Sequence, residues 1–232
     1  MRLNKYIRNS GITSRRGADK LIEDGKVKIN EIVVTEPFYE VSNSDCVKVE
    51  DKKIKQIERF EYYIINKPIG FLSSLSDPFH NQFVSEIVKT DARIYPVGRL
   101  DLNSRGLMIL TNDGDLAFKI SHPNSNITKE YIVKLDKKIN NYIAKKFEAG
   151  IKIDDKSKVK GRIKEFDPDN FLYSIKIKEG RNRQVRKMFK SVGIKVLDLN
   201  RVSIGGLKLG DLKIGHYKKV DRDYILNEVF RD

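Results

Sequence analysis

The chain has 232 residues, 39% of them hydrophobic, which is enough to bury a core and excludes wholesale disorder. Its 46 Lys and Arg against 32 Asp and Glu give a net charge of +14, a balance that points to an anionic partner such as nucleic acid or a membrane surface. One cysteine excludes an internal disulfide, three scattered histidines argue against a Cys/His zinc site, and no apolar run approaches the length of a membrane-spanning helix.

The opening MRLNKYIRNSGI lacks the uninterrupted apolar core of a signal peptide, so the chain reads as cytoplasmic. Leu3, Tyr6 and Ile7 stand at helical spacing. Ser14 is placed to cap a second helix that carries Ala18, Leu21 and Ile22 and stops at Gly25. VKIN and IVV (27–30 and 32–34) read as strands, and CVKVE (46–50) as a third. Residues 1–50 thus form a helix–helix–hairpin unit near the lower size limit for an independent core. Residues 51–59, DKKIKQIER, are polar and read as a linker. Residues 60–232 form a larger unit with strands in EYYIIN, GLMIL, TKEYIVKL and FLYSIKIK and helices in DLAFKIS, NNYIAKKFEAG and NRQVRKMFKSVG. In the last of these, Val185, Met188, Phe189 and Val192 make an apolar stripe, and Gly193 sits where a C-terminal cap belongs.

Two stretches carry chemistry. In SRRGADKLIEDGKVKIN, residues 14–30, Arg15 and Arg16 open a helix, the wrong end for cations because a helix N-terminus is itself positive. They are either solvated charge, costing a few tenths of a kcal/mol, or they face a phosphate, which reverses the sign. Charge alone does not choose. Lys20, Lys26 and Lys28 follow closely. The second stretch is VGRLDLNSRGLMILTNDGDLAFKISHP, residues 97–123, where Asp101 stands just ahead of an apolar run. Asp101, Asn103 and Gly106 match three positions of a calcium loop, but Arg105 would set a positive charge among the ligands and Asn112 replaces the bidentate Glu, so calcium is discarded. NDGD reads as a turn followed by Asp115 as helix cap. No Walker loop and no nucleophile signature occurs. Read by itself, Asp101 fits a structural ion pair with Arg99 or Arg105.

Resemblance decides further. RLNKYI, SRRGADKLIEDGKVKIN and the following VV resemble the RNA-binding domain named after small-subunit ribosomal protein S-four, over residues 1 to about 50. The hairpin turn Asn30-Glu31 departs from the usual Asn-Gly and predicts a looser turn. The stretch at 97–123, with YYIINKPIG (62–70), KEYIVKL (129–135) and IKEGRNRQVRKMFKSVG (177–193), resembles the RsuA group of bacterial ribosomal RNA pseudouridine synthases. Four ordered motifs cover nearly the whole chain.

That resemblance implies an α+β fold with a largely antiparallel catalytic sheet, no cofactor and no metal. It implies Asp101 as the catalytic carboxylate, acting at the ribose of a target uridine by attack on the anomeric carbon or removal of a neighbouring proton. The group pairs an arginine with this Asp, which keeps it oriented and ionised. Among Arg181, Arg183 and Arg186, Arg186 lies on the edge of the buried helical face and matches the group's Q-[IV]-R, whereas Arg183 falls nearly opposite that face. Arg186 is therefore the expected partner, with Arg183 and Lys187 on phosphates or in solvent. By the same resemblance Tyr131, sharing a strand face with Lys129 and Val133, stacks on the flipped uracil and helps remove its carbon-bound proton. Ile177 walls the pocket where Leu is common, Arg99 helps hold the nucleotide out of its stack, and Lys67 contacts phosphate. His122 before Pro123 reads as structural. The implied partner is ribosomal RNA, with EGRNRQVR and NDGDLAF favouring the large subunit, and the enzyme is expected to be a monomer away from membranes. The rival class is a non-catalytic RNA-binding ribosome-assembly factor on the same fold, which leaves Asp101, Tyr131 and Arg186 together without a use. A DNA-binding regulator leaves the GRLD stretch without one.

Overall fold

A computed structural model describes residues 1–57, 59–155 and 158–231. By its internal contacts the chain divides into two units, residues 1–60 with 91–93, and residues 61–90 with 94–232.

In the first unit, helix α1 (Leu3–Asn9) and helix α2 (Arg15–Glu23) precede strands β1 (Val27–Ile29), β2 (Ile32–Val33), β3 (Val47–Val49) and β4 (Lys52–Lys53), ordered β2-β1-β3-β4 and all antiparallel. Ser14 caps α2 as its position predicts, its hydroxyl accepting from the Gly17 N–H at 3.1 Å. Leu3, Ile7, Ala18 and Ile22 from the helices meet Val27, Ile29, Val47, Val49 and Ile54 in one core. The unit therefore runs past residue 50. Lys52 and Lys53, expected in a linker, pair with β3, and Ile54 is buried. Residue 58 of that expected linker lies outside the described residues, as does residue 232 at the chain's end.

The looser turn predicted at Asn30-Glu31 is not found. Both residues adopt left-handed backbone (φ 50° and 71°), and Ile29 lies opposite Ile32, the geometry of a tight two-residue hairpin. Asparagine tolerates this conformation, and its amide is used twice, accepting from Cys46 N–H and donating to Asp45, both at 2.9 Å. Glu50-Asp51 make an equivalent turn between β3 and β4, with φ 48° and 63°.

The second unit contains β5 (Tyr62–Lys67), β6 (Tyr95–Pro96), β7 (Arg105–Thr111), α3 (Gly114–Ser121), β8 (Lys129–Leu135), α4 (Asn141–Ala149), β9 (Arg162–Asp167), β10 (Leu172–Ile177), α5 (Gln184–Lys190), β11 (Val196–Ile204), β12 (Leu207–Lys208), β13 (Tyr217–Val220) and α6 (Arg222–Val229). Its sheet runs β13-β5-β7-β11-β8-β10-β9, with β6 added beside β7 and β12 beside β11. Among the described strands only the β7–β11 pair is parallel, so the α+β architecture with a mainly antiparallel sheet is as expected. The apolar runs of β5 and β7 are buried on both faces, as continuous rather than alternating hydrophobicity requires. One face packs Tyr62, Ile64, Leu107 and Ile109 against Leu116 and Ile120 of α3 and Ile225 and Val229 of α6.

The cap of α3 is Asp113, not Asp115. Its carboxylate accepts from the Asp115 and Leu116 N–H groups at 3.0 Å each, from the Tyr62 hydroxyl at 3.0 Å and from Arg222 Nε at 3.1 Å. Burial alone would raise its pKa, but these donors outweigh it and hold it below the ordinary value. His122 is structural as read, accepting from the Asn124 N–H in the turn after α3. Gly193, beyond α5, has φ +72° and closes that helix. Among the described residues no helix is long and apolar enough to cross a membrane.

Candidate active site

Asp101 lies in the loop between β6 and β7, and the loop is held residue by residue. Leu100 exchanges two bonds with the Ser73 hydroxyl, N–H to Oγ at 3.1 Å and Oγ–H to O at 2.9 Å. The Asp101 carbonyl accepts from Ser104 N–H at 3.0 Å and from Lys67 Nζ at 3.3 Å. The Leu102 carbonyl accepts from Gly70 N–H at 3.0 Å. Asn103 offers its carbonyl to Arg186 Nη2 at 2.5 Å, and the Ser104 carbonyl takes Lys67 Nζ at 2.8 Å. The 67–73 segment and helix α5 thus fix the backbone of residues 100–104 from two sides, which limits the positions open to the Asp101 side chain.

Lys67 corrects an expectation. It is fully buried, so it cannot meet a phosphate. Its ammonium donates to the carbonyls of Pro68, Asp101 and Ser104 instead. Burial lowers its pKa to about 8; Asp101 acts in the opposite direction, and Arg201 adds to the lowering. The sequence cue for this role is the end of an otherwise buried strand, where a lysine must turn inward or snorkel.

The Asp101 carboxylate makes no hydrogen bond or ion pair among the described residues. The simple ion-pair reading therefore fails. Arg105 is committed to Asp198, through Nη2 at 2.7 Å and Nε at 3.1 and 3.2 Å, and Arg99 is exposed. The expected Arg186–Asp101 pair is not formed either. The Arg186 guanidinium bridges the carbonyls of Val196 (3.0 Å) and Asn103, with Ser104 Oγ at 3.4 Å. Burial and the neighbouring Arg183 lower its pKa, while Asp101 and Asp198 oppose the shift.

Arg183 is not opposite the buried face of α5, because it is not in the helix. The helix begins at Gln184, and Arg183 is its N-cap residue with φ +52°. The rotation argument does not apply to it, and Arg183 instead lines the Asp101 pocket. That pocket has two parts: an inner cleft of about 60 Å³ and an outer one of about 280 Å³. The inner cleft is walled by Asp101, Tyr131, Ile177, Arg99 and Arg183, so five of the predicted site residues converge. Tyr131 and Ile177 are buried. Lys187 is not among the lining residues.

In the first unit, Arg15, Arg16 and Lys20 are exposed on α2 and make no ion pair among the described residues. Lys26 and Lys28 are partnered, with Glu50 at 3.2 Å and Asp51 at 2.7 Å from the second hairpin turn. These are surface pairs of low worth that an incoming phosphate can exchange.

Sequence reasoning missed Arg201 and Gly106. Arg201 is buried within β11. Gly106 has φ +113°, and a Cβ there would lie 2.3 Å from the Arg201 carbonyl oxygen, so the parallel β7–β11 approach behind the Asp101 loop requires glycine.

Comparison with known proteins bears on this arrangement. Residues 61–191 match the family model described as RNA pseudouridylate synthase, and residues 1–55 match the S4 domain. The chain is 37% identical to the ribosomal large subunit pseudouridine synthase B of Bacillus subtilis (strain 168) over 224 residues, 94% of this chain and 91% of that protein. It is 36% identical to the dual-specificity RNA pseudouridine synthase RluF of Escherichia coli (strain K12), over 98% of this chain and 78% of that one. A crystal structure of a pseudouridylate synthase matches with a TM-score of 0.72 at 29% identity, covering 99% of both chains.

Proposed function

Because the chain belongs to the RNA pseudouridylate synthase family, we propose that it converts a uridine of ribosomal RNA to pseudouridine, in the large subunit, with Asp101 as the catalytic carboxylate. The bond from C1′ to N1 of uracil breaks, the ring turns, a bond from C1′ to C5 forms, and the proton lost from C5 is matched by one gained at N1. Atoms and charge balance, so the chemistry asks for no redox partner. The observation that carries the reading is the convergence of a free carboxylate on a fixed loop with Tyr131, Ile177 and Arg99 in one cleft.

Asp101 faces a ribose that only reaches it once the base has left its stack, at a cost of a few kcal/mol. Arg99, exposed at the rim, helps hold the nucleotide out. Tyr131 stacks on the uracil and Ile177 supports it from below. Arg186 is a positioning residue, fixing the loop through Asn103 and Ser104. Arg183 meets phosphate at the pocket mouth, and Lys187 meets it farther along α5. Residues 1–50 supply further RNA affinity through Arg15, Arg16 and Lys20, with Lys26 and Lys28 beside them. The protein acts as a monomer in the cytoplasm, where its RNA is assembled.

The test is Asp101→Asn. Asparagine keeps the shape but neither attacks carbon nor takes a proton. The purified variant should form no pseudouridine on an rRNA fragment that the wild type converts, while its RNA affinity stays within about threefold, under 0.7 kcal/mol. Wild-type turnover by the variant would refute the assignment. Mapping pseudouridines in rRNA from cells with and without the gene identifies the subunit and position.

A further inference from the structure

A second lobe of about 340 Å³ adjoins the Asp101 cleft and shares Arg99, Tyr131, Gly180 and Arg181 with it. Its charge is one-sided. Arg99, Lys129, Lys178, Arg181 and Arg201 line it against a single carboxylate, Glu179, which Arg181 Nε already holds at 2.9 Å. Arg201 is 4% exposed. Its Nε donates to the Leu107 carbonyl at 2.8 Å, but its buried Nη2 has no hydrogen-bond partner among the described residues, and the guanidinium makes no ion pair. Among the described residues, Lys129 donates only to the Lys178 carbonyl, at 3.2 Å. Burial, and then the charge of Arg201, lower the Lys129 pKa. A buried cation with no ion-pair partner is expensive, and a second, half-buried cation that repels it adds to the cost. Among the described residues, one carbonyl bond to each is the direct compensation shown. Arg201 lies opposite Tyr131 in the β11–β8 register, so the cation pair stands directly beside the cleft where the target nucleoside would sit.

We propose that Lys129 and Arg201 form an anion site for the RNA backbone phosphate next to the target uridine. The proposal rests on the pseudouridine synthase reading of the adjoining cleft. A phosphodiester carries a permanent negative charge and two unbridged oxygens, one for the open edge of the guanidinium and one for the ammonium. The lobe is large enough for a sugar-phosphate segment and continuous with the cleft, so a chain threaded through both reaches Asp101 with its ribose and the cation pair with its phosphate. The phosphate then acts as a fixed point about which the base turns.

The experiment measures binding of an rRNA hairpin in which each phosphate around the target is replaced, one at a time, by a neutral methylphosphonate. Wild-type protein, Lys129→Gln and Arg201→Lys are compared. One replacement should weaken wild-type binding by about tenfold to a hundredfold, the range of a charge-assisted contact. The same replacement should change binding to Lys129→Gln by less than about threefold, because the contact is already lost. Lys129→Gln should also flatten the salt dependence by roughly one unit of log–log slope. Arg201→Lys, which retains the charge, should show the same position of coupling with a smaller loss. Additive effects at every phosphate would overturn the proposal. So would an Lys129→Gln variant that binds normally and only converts slowly, since its charge would then serve the detached uracil. Conversion of the unmodified hairpin by wild type is scored separately, so coupling without conversion would refute the enzymatic reading and leave the anion site standing.

Discussion

Replacing Lys67 with methionine tests whether the Asp101 loop is held from beneath. Methionine fills similar space but donates nothing, so the carbonyls of Pro68 and Ser104 lose this donor, at about 1–3 kcal/mol for each buried acceptor left unpaired, while the Asp101 carbonyl keeps the Ser104 N–H. Against this, the fall of the lysine from 10.5 to about 8 means that the buried ammonium already costs about 3 kcal/mol, at roughly 1.4 kcal/mol for each factor of ten. The two effects nearly cancel. The melting temperature should move by less than about 5 °C, given about 2–4 °C per kcal/mol for a chain this size. The rate should not be spared, because a carboxylate displaced by about 1 Å loses on the order of 10²-fold. Single-turnover conversion at saturating RNA should therefore fall about 10²-fold with little change in affinity. Stability against pH gives a second reading. Between about pH 8 and pH 10.5 the unfolded lysine keeps a proton that the folded one has released, so the wild type gains stability as pH rises through that window; below it the penalty is constant. The methionine variant lacks this rise. Urea midpoints should show the difference between the two proteins moving by about 2 kcal/mol in favour of wild type from about pH 7 to about pH 9.5. Unchanged rates together with parallel pH curves would refute the reasoning.

Arg186→Lys should cut the single-turnover rate by about 10²-fold, because an ammonium cannot bridge the Asn103 and Val196 carbonyls as the planar fork does, while Arg183→Lys should stay within about tenfold. Gly106→Ala should destabilise the protein by about 3 kcal/mol or more, combining a positive φ with a Cβ only 2.3 Å from the Arg201 carbonyl oxygen, seen as a lowered urea midpoint. Removing residues 1–60 should weaken RNA binding by about 10²-fold or less and flatten its salt dependence, with the rate at saturating RNA within about tenfold. A truncated protein that binds fully yet converts nothing would give the first unit a part in the chemistry.

The elements read from the sequence were those whose burial follows their hydrophobic pattern. The β5 and β7 runs, the β8 strand and Val185, Met188 and Phe189 of α5 bury what periodicity says they should, whereas Val192, the last of that stripe, lies beyond the helix and is half-buried. β9 was missed because it is an edge strand with charges on most positions, and α6 because its apolar content is sparse, although Asp221 caps it in an ordinary way. β11 was missed for a more instructive reason. Its register shifts between Arg201 and Ser203, and it turns both of those polar residues inward while Val202 is only partly covered. A pattern of hydrophobic residues cannot reveal a strand that buries its arginine. Lys67 and Asn30 belong to the same class. One is a charge satisfied by carbonyls that come from a loop 34 and 37 residues away, and the other a turn residue stabilised by amide bonds to a distant strand end.

The position of Arg186 shows where its hydrogen bonds go in place of the expected Asp–Arg pair. Its charge is near enough to Asp101 to be felt, yet its hydrogen bonds go to Asn103, Ser104 and Val196. Lys67 does the same from the other side of the loop. A guanidinium clamped directly on the carboxylate would occupy the oxygens that a ribose must approach, and reaching the substrate would require breaking a strong bidentate contact. Cations placed on the carbonyls of the loop still attract a carboxylate through space, because Coulomb attraction falls only with distance and local dielectric. They leave its oxygens open, and they fix its backbone at the same time. On this reading the two cations orient the proposed catalytic carboxylate without competing for it, which is why exchanging either for a side chain that cannot reach two carbonyls is expected to cost rate far more than stability.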